Sequence, residues 1–311
     1  MKSIWTMGEM IMEIMRPKAE MPHGEPGIYM GPYPSGAPAI MISSAARMGG
    51  KTGIIGGVGR DAFGDFLTSR LESYGVDCSH VLHSDKGSTG NAFVMYHNDG
   101  SREFIFHIDG TPAVAAAVPD VSKIEDPGYF HVMGCSLTAN ETFCRNIVET
   151  ALAFAARGAK ISFDPNIRTE LLRGGNLMEI IAPIVENCSI LLPGVDELLM
   201  MSGEATVDGA VKKLFGREKL EMIVLKNGSK GCRVYTREGT WSAHAYKVEQ
   251  ADATGAGDCF DGAFLAALSL GKDVEQAAKE ANAAGALNAA AFGPMEGKIS
   301  PENVRTMIER G

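Results

Sequence analysis

The chain has 311 residues, of which 45% are hydrophobic and 22% charged, enough to bury a full core in one large α/β domain and to exclude a mini-fold dependent on staples. Its 29 basic and 38 acidic residues give a formal charge of -9, and no Lys/Arg cluster is present to track a phosphate backbone, so nucleic acid is not expected as a partner. The six cysteines form no C-x-x-C pair, which excludes a zinc knuckle or dithiol motif and leaves them as reduced, mostly core thiols.

At the N-terminus, "MKSIWTMGEMIMEIM" is apolar, but Glu9 and Glu13 interrupt it and no small-residue cleavage site follows. No apolar run elsewhere approaches the ~20 residues of a membrane span. A cytoplasmic protein without a membrane partner is therefore expected. "APAIMISSAARMG" and "TGIIGGVG" read as the start of a main α/β layer. "NAFVMYHN" and "EFIFHI" are strand-like and joined by "DGSR", a hairpin signal. With the N-terminal segment they predict a small β appendage over about 8–35 and 90–110, and a cleft between it and the main layer.

From about residue 128 the chain alternates strand candidates, "YFHVMG" (129–134), "KISFDPN" (160–166), "SILLPG" (189–194) and "MIVLKNG" (222–228), with segments of helical periodicity. Those helical segments are "ETFCRNIVETALAFAARG" and "TELLRGGNLMEIIAPIVENC". Strands without strict alternation, each followed by a helix or turn, are what a buried parallel sheet requires. The expected fold is α/β, doubly wound, mostly parallel, with helices on both faces. "CFDGAFLAALSLG" and "VEQAAKEANAAGALNAAAFG" supply two further helices near the C-terminus.

"DATGAGDCFDGAF" (252–264) sets Gly255, Ala256 and Gly257 against Asp258 at the start of a helix expected over Cys259–Leu270. Small residues at a helix N-terminus offer bare N–H groups to an anion, and a carboxylate there can take a proton from a hydroxyl while phosphoryl charge rests on the amides. Spacing alone equally permits a tight turn capped by Asp258. Two other nucleotide motifs fail. "GGKT" (49–52) lacks the first Walker A glycine, where Ala45 stands, and Gly255-Ala-Gly257 is followed by Phe260 where a dinucleotide fingerprint needs glycine.

"DATGAGDCFDGAF" resembles the C-terminal signature of the ribokinase/PfkB family of carbohydrate kinases, departing only at Ala253. "SGAPAIMISSAARMGGKTGIIGGVGRDAFGDFL" (35–67) resembles the N-terminal signature. "DPNIR", "LLPGVDEL", "VLKNGSKG" and "ANAAGALNAAAFG" follow in the family's order across essentially the whole chain. The resemblance implies a single ribokinase-like domain over 1–311 with a β lid, and an ATP-dependent kinase acting on a primary hydroxyl of a small sugar.

It further implies Asp258 as general base, with Gly255, Ala256 and Gly257 holding the phosphoryl charge. Asn166, Arg168, Lys226, Asn227, Gly228, Gly231 and Asn282 would line the ATP site. Mg2+ would be held largely by phosphates and water, with Glu197 helping to organise it, and Asp252 would lie where some relatives bind a monovalent cation such as K+. Glu197 belongs to an N-x-x-E motif whose first position is Gly194 here. At the sugar end Glu13, Ser35, Gly36, His107, Arg168 and Asp258 are the implied contacts. Ile40 replaces a hydroxyl-binding asparagine, and Ile108 fills a lid arginine slot. "GPYPSGAPAI" resembles the subgroup with tagatose kinases, which favours a ketohexose such as tagatose or fructose. "DPNIR" resembles 2-keto-3-deoxygluconate kinases, although the missing guanidinium at Ile108 weighs against an acidic sugar. A binding protein that kept the fold without catalysis is the alternative from another class. Relatives often dimerise through the lid, and the apolar residues of "EFIFHI" are compatible with such a homodimer and equally with a lid packed on its own protomer.

Overall fold

The computed structural model describes residues 1–168 and 176–311. The first part of the chain runs β1 (Ser3–Met7), β2 (Ile11–Ala19), β3 (Met30–Ser35), α1 (Ala37–Arg47), β4 (Lys51–Gly59), α2 (Ala62–Ser73), β5 (Val76–Ser84), β6 (Gly90–Tyr96) and β7 (Arg102–His107). There follow β8 (Pro127–Met133), α3 (Gly134–Leu137), α4 (Glu141–Ala156), β9 (Lys160–Asp164), α5 (Leu177–Val185), β10 (Ile190–Leu191), α6 (Val195–Ser202), α7 (Val207–Leu214) and β11 (Met222–Lys226). The chain then closes with β12 (Cys232–Thr236), β13 (Thr240–Ala243), α8 (Ala256–Ser269), α9 (Val274–Ala289) and α10 (Pro301–Arg310). The front of the predicted segment 169–188 lies outside the described residues, and its remainder forms α5.

Nine strands make the main sheet in the order β13-β12-β11-β10-β9-β8-β1-β4-β5. It is parallel from β11 to β5 and antiparallel only at the β12–β13 edge. Strands such as β1, with all five residues buried, are covered on both faces by helices. α1 and α9 both pack on α8, while α4 lies on β8 and β9. The layer is tight where α8 crosses α1: a Cβ on Gly262 would meet Met41 O at 2.1 Å, so only glycine permits that approach. Phe260 and Phe264 anchor α8 from its buried side.

A second, four-stranded sheet has the order β3-β2-β6-β7. Its β6–β7 and β2–β3 pairs are antiparallel, whereas β2 and β6 run parallel. Its strands fall in the segments expected for the β appendage. Arg16 pins the loop that joins β2 and β3, with its guanidinium donating to Pro22 O and Glu25 O and stacking on Tyr29. Among the described residues no helix is long and apolar enough to cross a membrane.

Candidate active site

The carboxyl ends of β1, β8, β9, β10 and β11 meet the inner face of the small sheet around a cavity of about 220 Å³. In open α/β sheets this end is where ligands bind. The cavity wall includes Glu9, Glu13, Gly36, Asn166, Arg168, Glu197, Lys226, Gly255, Gly257 and Asp258.

α8 begins three residues earlier than the pattern predicts, at Ala256, so Gly255 is its N-cap and Asp258 lies inside the first turn. Gly255 takes φ 75°, and a Cβ there would meet Pro294 O at 2.5 Å, which restricts the position to glycine. The Ala256 N–H is spent on Ala253 O at 3.2 Å, a correction to the three-residue cradle. Among the described residues the N–H groups of Gly257 and Asp258 have no intramolecular acceptor, and both face the positive end of the helix dipole. Asp258 does not cap the helix. Its Oδ1 accepts from Asn166 Nδ2 at 2.9 Å. Burial, and next to it the charge of Asp164, push its pKa up to about 6 against Arg168, Lys226 and Arg102.

Lys226 points into a buried acidic pair. Its Nζ donates to Asp164 Oδ2 at 2.6 Å and to Asp261 Oδ1 and Oδ2 at 3.2 and 3.1 Å. Burial opposes the ammonium charge, but Asp164, Asp261 and Glu197 together keep it protonated. Burial likewise opposes the Asp164 charge, and Lys226 overcomes it to hold this carboxyl low, whereas burial dominates at Asp261 and holds it high. Glu197 accepts from the N–H groups of Ile167 (3.0 Å) and Gly194 (2.7 Å). With glycine at the first N-x-x-E position α6 has no side-chain cap, and only the reverse half of a capping box forms, from the Gly194 N–H to Glu197.

At the lid end Glu13 is buried, its Oε1 accepting from Ser35 Oγ at 2.7 Å and its Oε2 lacking any partner. Burial raises its pKa to about 7. Ser35 thus acts on Glu13 and does not itself line the cavity. Glu9, which the motif reading passed over, lines the cavity while accepting from Cys135 Sγ and Ser136 Oγ. Ile11, Ile40, Phe104, Phe106 and Ile108 form an apolar wall.

Two sequence expectations change here. His107 is exposed and packs edge-on against Phe93, outside the cavity, because strand alternation turns Arg102, Phe104 and Phe106 inward and His107 outward. The lid does supply a guanidinium despite Ile108: Arg102 lines the cavity and donates to Thr254 Oγ1 at 3.1 Å. Arg102 and Arg168 both approach the Phe104 ring, at 6.0 and 5.7 Å from its centroid.

The remaining residues that the family resemblance assigns to the nucleotide lie apart from this cavity. Asn227, Gly228 and Gly231 form the tight turn between β11 and β12, where Asn227 N–H donates to Gly231 O. A Cβ on Gly231, at φ 86°, would meet Ala243 O at 2.1 Å. Asn282 sits in the middle of α9 and donates to Ala243 O at 3.2 Å. Asp252 is buried and its oxygens are occupied: Oδ1 by Thr254 N–H and Oγ1, Oδ2 by Tyr96 OH and Gly293 N–H. No cluster of three or more His, Cys, Asp or Glu able to hold a metal occurs among the described residues.

A buried carboxylate beside free helix N-terminal amides, under a β lid at the carboxyl end of a parallel sheet, defines a phosphotransferase of the ribokinase-like class. Residues 1–301 match the model of the pfkB family carbohydrate kinases, and the chain belongs to that family. It is an ATP-dependent sugar kinase. It is 31% identical to Fructokinase-1 of Oryza sativa subsp. japonica over 98% of this chain and 97% of that one. Fructokinase-1 of Zea mays is 29% identical over the same shares of the two chains. A provisionally assigned ribokinase II from E. coli, solved in complex with ATP and Mg2+, superposes with a TM-score of 0.92 at 37% identity over all of both chains.

Proposed function

We propose that the chain phosphorylates the primary hydroxyl of a ketohexose, fructose or tagatose. The observation that carries this reading is Asp258, buried, oriented by Asn166, and set beside the open N–H groups of Gly257 and itself. At neutral pH the carboxylate is ionised and withdraws the hydroxyl proton, while the two amides stabilise charge that grows on the transferred group. Similarity to the fructokinases supports the ketohexose assignment. The unpartnered Glu13 Oε2 needs a donor, and a sugar hydroxyl supplies one.

ATP supplies the phosphoryl group, with Mg2+ balancing its charge. The chain's own part is the open helix end and Glu197, whose oxygens each keep a lone pair for a metal-bound water. Asn227, Gly228, Gly231 and Asn282 belong to the nucleotide side in this reading. With its oxygens filled by protein donors, Asp252 acts as a clasp between lid and helix end in place of a K+ ligand. The lid's outward side, with Ile28 69% exposed and Met30 and Ile105 each 40% exposed, meets a second copy of the chain.

The test is turnover with Mg-ATP against ketohexoses, keto-deoxy acids and nucleosides, beside Asp258→Asn. A fall in kcat of at least ~10² is expected for the variant, and near-normal turnover overturns the role of Asp258. Arg102 and Arg168 favour one second reading, a 2-keto-3-deoxygluconate kinase whose carboxylate they would bind. A kcat/KM for that acid above the value for fructose establishes it.

A further inference from the structure

The residues around Asp258 close a ring. Asp164, the last residue of β9, accepts the Asn166 N–H on Oδ1 at 3.1 Å, which helps to hold Asn166 at φ 36° in the left-handed region. In that conformation the Asn166 amide donates to Asp258 Oδ1 at 2.9 Å. Asp261 lies three residues after Asp258 in α8, on the same helix side. Lys226, at the end of β11, binds Asp261 and returns to Asp164 Oδ2. The ring therefore runs Asp164, Asn166, Asp258, along the turn of α8 to Asp261, then Lys226, and back to Asp164. Asp164, Asp261 and Asp258 are all buried, so each link forms where water does not compete.

We propose that Asp164, Asn166, Asp261 and Lys226 are positioning residues that together fix the angle at which the Asp258 carboxylate meets the acceptor hydroxyl. This assigns Lys226 and Asn166 first to the base, ahead of the nucleotide, and it rests on Asp258 being the base. Three arguments support it. The Lys226 ammonium has its printed contacts inside the ring, with Asp164 Oδ2 at 2.6 Å and the Asp261 carboxyl at 3.1 and 3.2 Å. Asp261 is 0% exposed, so its carboxyl cannot face a ligand and can act only through Lys226 and Asp164. An off-rotamer or left-handed residue held by specific bonds is a recurring means of aiming a catalytic group, and Asn166 is one of three non-glycine residues with positive φ among those described.

The experiment compares Asp261→Leu, Asp261→Asn and Lys226→Gln with the unmodified chain. Asp261→Leu and Lys226→Gln are expected to lower kcat about tenfold, as one misaimed general base costs part of its ~10²–10⁴ contribution, with KM for ATP and sugar within about twofold. Asp261→Asn still accepts from Lys226 and is expected to stay within about threefold of the unmodified chain. A rise in KM for ATP without loss of kcat overturns the proposal and makes Lys226 a nucleotide contact. Equal damage from Asn and Leu at 261 overturns it as well. A readout that needs no turnover is the 15N–1H resonance of the Asn166 side-chain amide, identified by its loss in Asn166→Ala. It is expected to shift and exchange faster in Asp261→Leu and to keep its position in Asp261→Asn, and an unmoved signal in Asp261→Leu overturns the ring. If Asp261→Leu does not fold, Lys226→Gln carries the same measurement. Near-normal turnover in Asp258→Asn defeats the parent assignment, a result separate from the amide readout.

Discussion

Glu13 holds an ionisable group in a place that disfavours its charge, and its linkage to folding follows directly. Its pKa lies near 7 in the folded chain because burial dominates, against an ordinary value of 4.5. Between those values the folded state binds more protons than the unfolded one, so stability falls as pH rises through this window, by on the order of 3 kcal/mol for this group. Glu13→Gln is expected to flatten the decline in Tm between pH 5 and 8, and an unchanged decline rules this out. The same carboxyl marks what a single residue reveals in a sequence. Asp258 and Gly255 draw attention because their spacing fits either an anion site or a capped turn, and the resemblance of the surrounding motifs favours the first. Arg102 was equally accessible through period-two alternation once Phe104 and Phe106 face inward, yet no motif draws attention to it. His107 misled because adjacency to the expected arginine slot at Ile108 says nothing about which side of a strand a residue takes. Ile40, 2% exposed and on the apolar wall, is the sharpest residue-level probe of sugar choice. Ile40→Asn is expected to improve kcat/KM for fructose several-fold by giving a hydroxyl a partner, on the ~1–3 kcal/mol scale of a satisfied polar group, and a loss instead means the wall itself is needed.

Among the elements, α8 depends most on one backbone angle. Gly255→Ala must adopt φ 75° and move Pro294 O away from 2.5 Å, so a loss of a few kcal/mol and of most activity is expected, measured by thermal unfolding beside kcat. Wild-type stability in that variant removes the argument. The parallel strands β8, β9 and β11 were readable as short apolar runs because helices bury both their faces. The hairpin β6–β7 was readable through its turn residues. Helix starts were less so: α8 opens at Ala256 because a left-handed glycine, not a side-chain cap, begins it. Asn282 sits mid-helix in α9 because the alanines before it continue the helix without any stop signal.

For the whole molecule, the role proposed for Asp258 predicts a pH dependence, because burial lifts its carboxyl to about 6. Protonation removes the base, so kcat/KM is expected to rise with pH through about 6 and then level, and a profile flat from pH 5 to 8 contradicts this. Sedimentation is expected to find a dimer that Ile105→Asp converts to monomer, while a monomeric unmodified chain defeats the lid contact. What sequence order withheld was convergence: Lys226 meets Asp164 across 62 residues and Asp261 across 35, pairings made where the ends of β9 and β11 come together with α8. Asp252 has a reach of the same kind. Through Tyr96 OH, Thr254 and Gly293 N–H it ties lid, helix start and C-terminal segment to one carboxylate, and Arg102 adds a second tie from lid to Thr254. An outward swing of the lid has to break the Tyr96 and Arg102 bonds, the second of them at the residue beside Gly255. Lid position and the turn that starts α8 are thus linked mechanically through one carboxylate and one hydroxyl.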